Sequence, residues 1–186
     1  MKSYLRYPAT NESLLAIEKG LCPKLGDKVL SICGSGDQSF LFLSSGCKVI
    51  AIDKCLKQVD YVKKRKQYLE LGDYERFLQP PGYSEEFNEM KKKCSLDARE
   101  EYLSRNCFEL MRPNANNLDI LEPQNILEHA FGNSNTYSKI YLSNCIEHIV
   151  NADSSLQDTD EKLDFELICL KTFGLSLKPG GVLYVS

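Results

Sequence analysis

The chain has 186 residues, 42% of them apolar, with a formal net charge of −3 and a pI near 5.5. That length suits one domain with a sizeable core, and the acidic balance argues against general nucleic-acid binding. No stretch reaches the roughly 20 apolar residues of a membrane helix, and the start, Met1-Lys-Ser-Tyr-Leu-Arg-Tyr-Pro8, has no apolar signal core. No membrane span and a cytoplasmic location are therefore expected.

Asn11 to Gly20 has the pattern of a capped amphipathic helix closed by glycine, placed to border a ligand cleft. Val29 to Ile32 is a short apolar run suited to a buried parallel strand. Cys33-Gly-Ser-Gly-Asp37 then turns into a helix beginning near Ser39. After Ser44-Ser-Gly46, a second apolar strand from Lys48 ends on Asp53. Strand, glycine turn, helix, strand and acid in this order imply a ribonucleoside ligand, with Asp53 accepting the ribose hydroxyls. A dinucleotide fingerprint wants glycine where Ser39 stands, and Asp37 would repel a pyrophosphate. S-adenosylmethionine, whose methionine end is cationic, fits that turn better; another nucleotide, or a turn that binds nothing, remains the alternative.

Leu56 to Leu71 has helical apolar spacing, interrupted by Lys63-Lys-Arg-Lys66, which reads as a solvated face. Between Gly72 and Pro113 the chain turns charged and helical in pattern: Tyr74 to Leu78, a Pro80-Pro-Gly82 break, Ser84 to Lys93 and Asp97 to Met111. A plain crossover is much shorter than the distance from Asp53 to a third strand at Asn117–Leu121, so 72–113 reads as a helical insertion, serving as a substrate cover or a packing element.

Tyr137 to Asn144 is a fourth strand, with Tyr141 read as core. Glu161 to Phe173 is an amphipathic helix, and Gly181 to Val185 a fifth strand after a Lys178-Pro-Gly-Gly turn. Alternating strands and helices predict an α/β fold, a doubly wound parallel sheet in one domain over 1–186. Because Ser186 follows the fifth strand directly, the sheet is expected to lack its last strands or to be completed by an oligomer or partner chain.

Eight cysteines are scattered without any CxxC pair, so no metal site is expected, and they read as reduced thiols, with Cys55 nearest the ligand. Glu147 and His148, following the fourth strand, are the acid and imidazole nearest the strand ends, and are candidates for acceptor binding or proton removal. A helix-dipole or capping role is the alternative.

The glycine turn, Asp53, Asp119, Asn144-Cys-Ile-Glu-His-Ile149 and Leu177-Lys-Pro-Gly-Gly-Val-Leu-Tyr-Val185 together resemble the class I S-adenosylmethionine-dependent methyltransferase fold, a Rossmann-like architecture. Ser31 stands where that family has an acid, and Asp37 where it has a glycine. With Tyr68-Leu-Glu-Leu-Gly-Asp-Tyr-Glu-Arg-Phe-Leu78, residues 11–80 are similar to betaine-lipid type 3-amino-3-carboxypropyltransferases. That resemblance implies transfer of a 3-amino-3-carboxypropyl group from S-adenosylmethionine to a small-molecule or lipid-headgroup acceptor. Methyl transfer and a non-catalytic cofactor-binding or assembly subunit are the alternatives. The implied cofactor residues are Gly34, Ser35, Gly36, Asp37 and Gln38 at the methionine end, Asp53 and Lys54 at the ribose, Asp119 and Ile120 at the adenine, and Asn144 at the transfer site.

Overall fold

Five short strands, each an apolar run bounded by turn residues, pair in the order β3-β2-β1-β4-β5, and every pair is parallel. They are β1 Lys28–Ile32, β2 Lys48–Ile52, β3 Leu118–Ile120, β4 Tyr137–Tyr141 and β5 Leu177–Tyr184. The structure is a computed structural model that describes residues 7–10, 12–79, 99, 103–143, 145–152 and 158–185. The direction of the strand order reverses at β1, between β2 and β4, and ligands of doubly wound sheets bind beyond the strand ends at such a point.

Two apolar layers sandwich the sheet. On one face lie α1 Leu14–Leu21, α2 Asp37–Ser44, α4 Tyr74–Leu78 and α5 Arg105–Met111, with Leu14, Ile17, Phe40, Phe42, Phe77 and Phe108 in the core beside α3 Leu56–Leu71. The opposite face carries α6 Ile126–Phe131, α7 Cys145–Ala152 and α8 Thr159–Ser176, packed through Ile126, Ile146, Cys169 and Phe173. The expected Rossmann-like, doubly wound α/β architecture is the observed one. None of the helices among the described residues is long and apolar enough to cross a membrane.

Local chemistry moves several boundaries. The first helix starts at Leu14, with the Ser13 hydroxyl accepting from Ala16 N, and ends on Cys22 in the left-handed region at φ 45° instead of on Gly20. Gly20 has another reason: a Cβ there would stand 2.8 Å from the Tyr184 ring of β5. The Lys178-Pro-Gly-Gly181 segment lies inside β5, as an irregularity where the register jumps from Tyr137↔Leu177 to Lys139↔Val182. Proline is tolerated there because β5 is an edge strand. Residues 126–131 form a helix that the sequence reading did not anticipate.

The Lys63–Lys66 run is not uniformly solvated. Lys63 pairs with Glu122 at 2.6 Å on the surface, whereas Arg65 is 1% exposed. Within the 72–113 segment, α4, α5 and a 3-10 helix Arg112–Asn117 pack on α2 and α3, while the proline break and Ser84–Lys93 lie outside the described residues.

Candidate functional site

A cavity of about 480 Å³ opens beyond the carboxyl ends of β1, β2 and β4. Its floor is the turn after β1: Gly34 takes φ 46° with open space where a Cβ would stand, so the backbone is bare towards the cavity. Asp53, one residue past β2, also lines it, accepting from Gly34 N at 3.2 Å and Cys55 N at 2.9 Å. These two bonds fix the carboxylate against the turn. Ser35, Gln38, Lys54 and Cys55 complete this side, and Gln124, Asn125 and Ile126 the side beyond β3.

Residues 7–10 form a strap across the cavity's other wall. The Gln58 side-chain amide clasps it, accepting from Tyr7 N at 3.3 Å and donating to Tyr7 O at 3.1 Å and to Gly34 O at 2.5 Å. Tyr61 Oη donates to Pro8 O at 2.8 Å, Thr10 N donates to Asp37 at 2.8 Å, and Gln38 Nε2 donates to Thr10 Oγ1 at 2.6 Å. The segment ahead of α1, and not the helix itself, therefore borders the cleft.

A polar pole lies where the strap meets β4. Gln38 Nε2 donates to Tyr141 Oη at 3.0 Å, and Tyr141 Oη and Ser143 Oγ both donate to Glu12. Burial, and then the neighbouring Glu12, push the Tyr141 phenol up, so it remains protonated. The Tyr141 ring is core, as expected, while its hydroxyl reaches the cavity wall. Ser143 sits at φ 51°, a conformation costly for a residue with a Cβ and characteristic of functional sites. Cys145 also lines the cavity, but burial and then Cys169 and Asp53 push its thiol up to about 12, so it stays neutral.

Asp37 differs from its expected role. It is fully buried, does not line the cavity, and accepts from Arg65 at 2.6 Å, Arg99 at 2.9 Å, Ser35 Oγ at 2.8 Å and Thr10 N. Burial alone would raise its carboxyl, but Arg99 and Arg65 outweigh that and hold it at about 2. A carboxylate so enclosed cannot receive a ligand ammonium. The Arg65 guanidinium carbon in turn lies 4.8 Å from the Phe40 ring centroid and 4.6 Å from that of Phe77, and its buried Nη2 has no hydrogen-bond partner among the described residues. Gly36 is likewise turned inward: a Cβ would meet Phe40 at 2.9 Å and Val62 at 3.0 Å.

Of the remaining expected residues, Asp119 is exposed on edge strand β3 and Ile120 packs into the core; neither lines the cavity. Asn144 lies outside the described residues. Glu147 is exposed and apart from the lining, whereas His148 lines the cavity, with Nε2 3.3 Å from Tyr7 Oη. The seven described cysteines are free thiols, and among the described residues no cluster of His, Cys, Asp or Glu could hold a metal ion. Tyr7, Thr10, Glu12, Gln58 and Ser143 were not singled out from the sequence. Gln58 alone left a signal there, as a polar residue on the apolar stripe of α3.

No family model matches the chain, and no curated protein matches it. A solved structure does resemble it: precorrin 8w decarboxylase, the product of gene MT0146 of Methanobacterium thermoautotrophicum, at 14% identity and a TM-score of 0.51. The alignment covers 97% of this chain and 64% of the other, so the chain spans less than two thirds of that protein's length. At that identity the likeness shows the fold alone. The comparisons overturn the assignment to class I S-adenosylmethionine-dependent methyltransferases and betaine-lipid type aminocarboxypropyltransferases. The transferase activity drawn from it, whether aminocarboxypropyl or methyl, falls with it, because it rested on that assignment alone. Asp37 supplies a physical reason on the same side: the group meant to orient the methionine end is locked between two guanidiniums.

Proposed function

We propose that the cavity binds an adenosine-type ribonucleoside, with S-adenosylmethionine as the form to test first. The observation that carries this reading is Asp53 and the bare Gly34 backbone sharing one wall of a 480 Å³ cavity at the sheet's reversal point. In it, Asp53 accepts the ribose hydroxyls on its cavity side, the bare turn at Gly34 lets the sugar approach closely, and Asn125 and Ile126 border the base. Gly34, Ser35, Gln38, Asp53 and Lys54 form the binding set, with His148 at the mouth. No transfer step is part of this reading. The ligand is a small molecule and the compartment the cytoplasm, consistent with the free thiols and the acidic net charge.

Isothermal titration with adenosine, S-adenosylmethionine and NAD tests the proposal. Binding of the first two, abolished or weakened in Asp53→Asn, is the expected result. A preference for NAD, or no binding of any nucleoside, overturns it.

A further inference from the structure

Helix α8 is apolar on two sides. Its inward stripe, Phe165, Cys169, Leu170 and Phe173, packs into the core beneath β4 and β5. Its outward side carries Leu163, Leu167, Ile168 and Leu175, which are 54%, 46%, 54% and 69% exposed. A helix that needed only to cover a sheet would be polar on that side. Phe131, 80% exposed, ends α6, which packs against α8, and the turn after it is tied to the end of α8 by Asn135 N donating to Leu175 O at 3.0 Å.

We infer that this face seats a second copy of the chain, the two α8 helices running antiparallel about a twofold axis between Leu167 and Ile168. The charge pattern selects that occupant. Asp164 and Lys171 flank the Leu167–Ile168 centre at equal distance along the exposed side, and neither forms an ion pair with another described residue. In antiparallel register Asp164 faces Lys171 of the partner subunit, twice by symmetry, while Leu167 packs on Ile168 of the partner subunit. The acidic first turn, Asp160 and Glu161, then lies over the end of the opposing helix, and the two helix dipoles oppose each other. A parallel pairing would instead bring like charges together. An ordinary stable dimer buries about 800 Å² per partner, and the four aliphatics with Phe131 and the flanking charged stems supply the apolar centre and polar rim of such a surface.

The test is the mass in solution, by analytical ultracentrifugation from about 1 to 100 μM. The wild-type chain is expected to dimerise. Leu167→Asp, which places a charge at the apolar centre twice over, is expected to raise the dimer dissociation constant by about 100-fold or more while leaving the thermal melt cooperative. Asp164→Lys and Lys171→Asp, each alone, are expected to weaken association about tenfold, and an equimolar mixture of the two to recover it as a heterodimer. A wild-type monomer across that range overturns the proposal, since the face would then serve a different partner. A dimer indifferent to Leu167→Asp overturns it as well, and a mixture that fails to associate overturns the antiparallel register.

Discussion

Asp37 and Asp53 flank the same glycine turn, and the fold treats them in opposite ways. Asp37 faces inward, where Arg65 and Arg99 close over it together with Ser35 and the strap residue Thr10. Asp53 lines the cavity, and its carboxylate accepts from two backbone N–H groups, those of Gly34 and Cys55. The glycines divide the same way, Gly36 against Phe40 and Val62, Gly34 towards the cavity. Half of the motif therefore builds the architecture and half lines the cavity. Carboxylates and glycines in a nucleoside-type motif are not interchangeable evidence for binding.

The largest effect should come from breaking the closed half. Asp37→Ala leaves two guanidiniums, each 1% exposed, without their counter-charge. Stripping one partner from a buried ion cluster costs about 3–5 kcal/mol, so chemical denaturation should show a severe loss of stability or no folded protein. A loss below about 1 kcal/mol would mean that water reaches the cluster and that Asp37 is not closed off.

Gly36→Ala comes next. The left-handed φ of 83° and the 2.9 Å approach to Phe40 add to each other, and about 2–3 kcal/mol of destabilisation is expected by thermal melting.

The Asp37 cluster also predicts an acid limit. Its carboxyl sits at about 2 in the fold against an ordinary 3.8, so the depressed folded value stabilises the protein fully above about pH 4. That contribution, about 2 kcal/mol, is lost as pH falls from near 4 through 2. Urea midpoints should drop across this window in the wild type. If Asp37→Asn folds and shows the same drop, the acid sensitivity belongs to other carboxylates.

The architecture was legible because its signals are local. Apolar runs at Val29, Lys48 and Tyr137, each bounded by turn residues, state strands, and helical spacing between them states a parallel sheet. The cavity floor was legible for the same reason, since Gly34 and Asp53 sit at strand ends. The strap, Glu12 and the Tyr141–Ser143 pole were not, because they meet through contacts 27 to 131 residues apart in the chain. Arg65 is the instructive intermediate. It lies on the stripe Gln58, Val62, Arg65 and Leu69, which is the buried side of α3. A cation on an apolar stripe calls for a buried anion, and reading the run Lys63–Lys66 by composition hid that. Neither did spacing reveal that Asp37 was the anion, so its negative charge was assigned to a ligand when it belonged to Arg65 and Arg99.

Opening the comparison from the cavity side should cost affinity, together with about 1 kcal/mol of stability, because asparagine keeps only one of the two oxygens that accept from Gly34 N and Cys55 N. Asp53→Asn keeps the side chain's shape but loses the charge and one acceptor, and should weaken nucleoside binding by about 1–2 kcal/mol in isothermal titration. Equal affinity for wild type and variant, where the wild type binds, would assign Asp53 to holding the turn alone.

Gly34→Ala should show the smallest change in stability and the sharpest contrast with Gly36→Ala. Both residues have positive φ, but at Gly34 a Cβ meets nothing within 4 Å, so only the backbone penalty of about 1 kcal/mol applies. The added methyl stands on the turn that floors the cavity, where the nucleoside is to approach the bare backbone. Melting temperature and nucleoside affinity measured on both variants should therefore split: Gly36→Ala loses more stability, and Gly34→Ala loses more binding for each kcal/mol of stability lost. If the two variants lose stability and affinity in the same proportion, the turn acts as one structural unit and the division between a closed half and an open half fails.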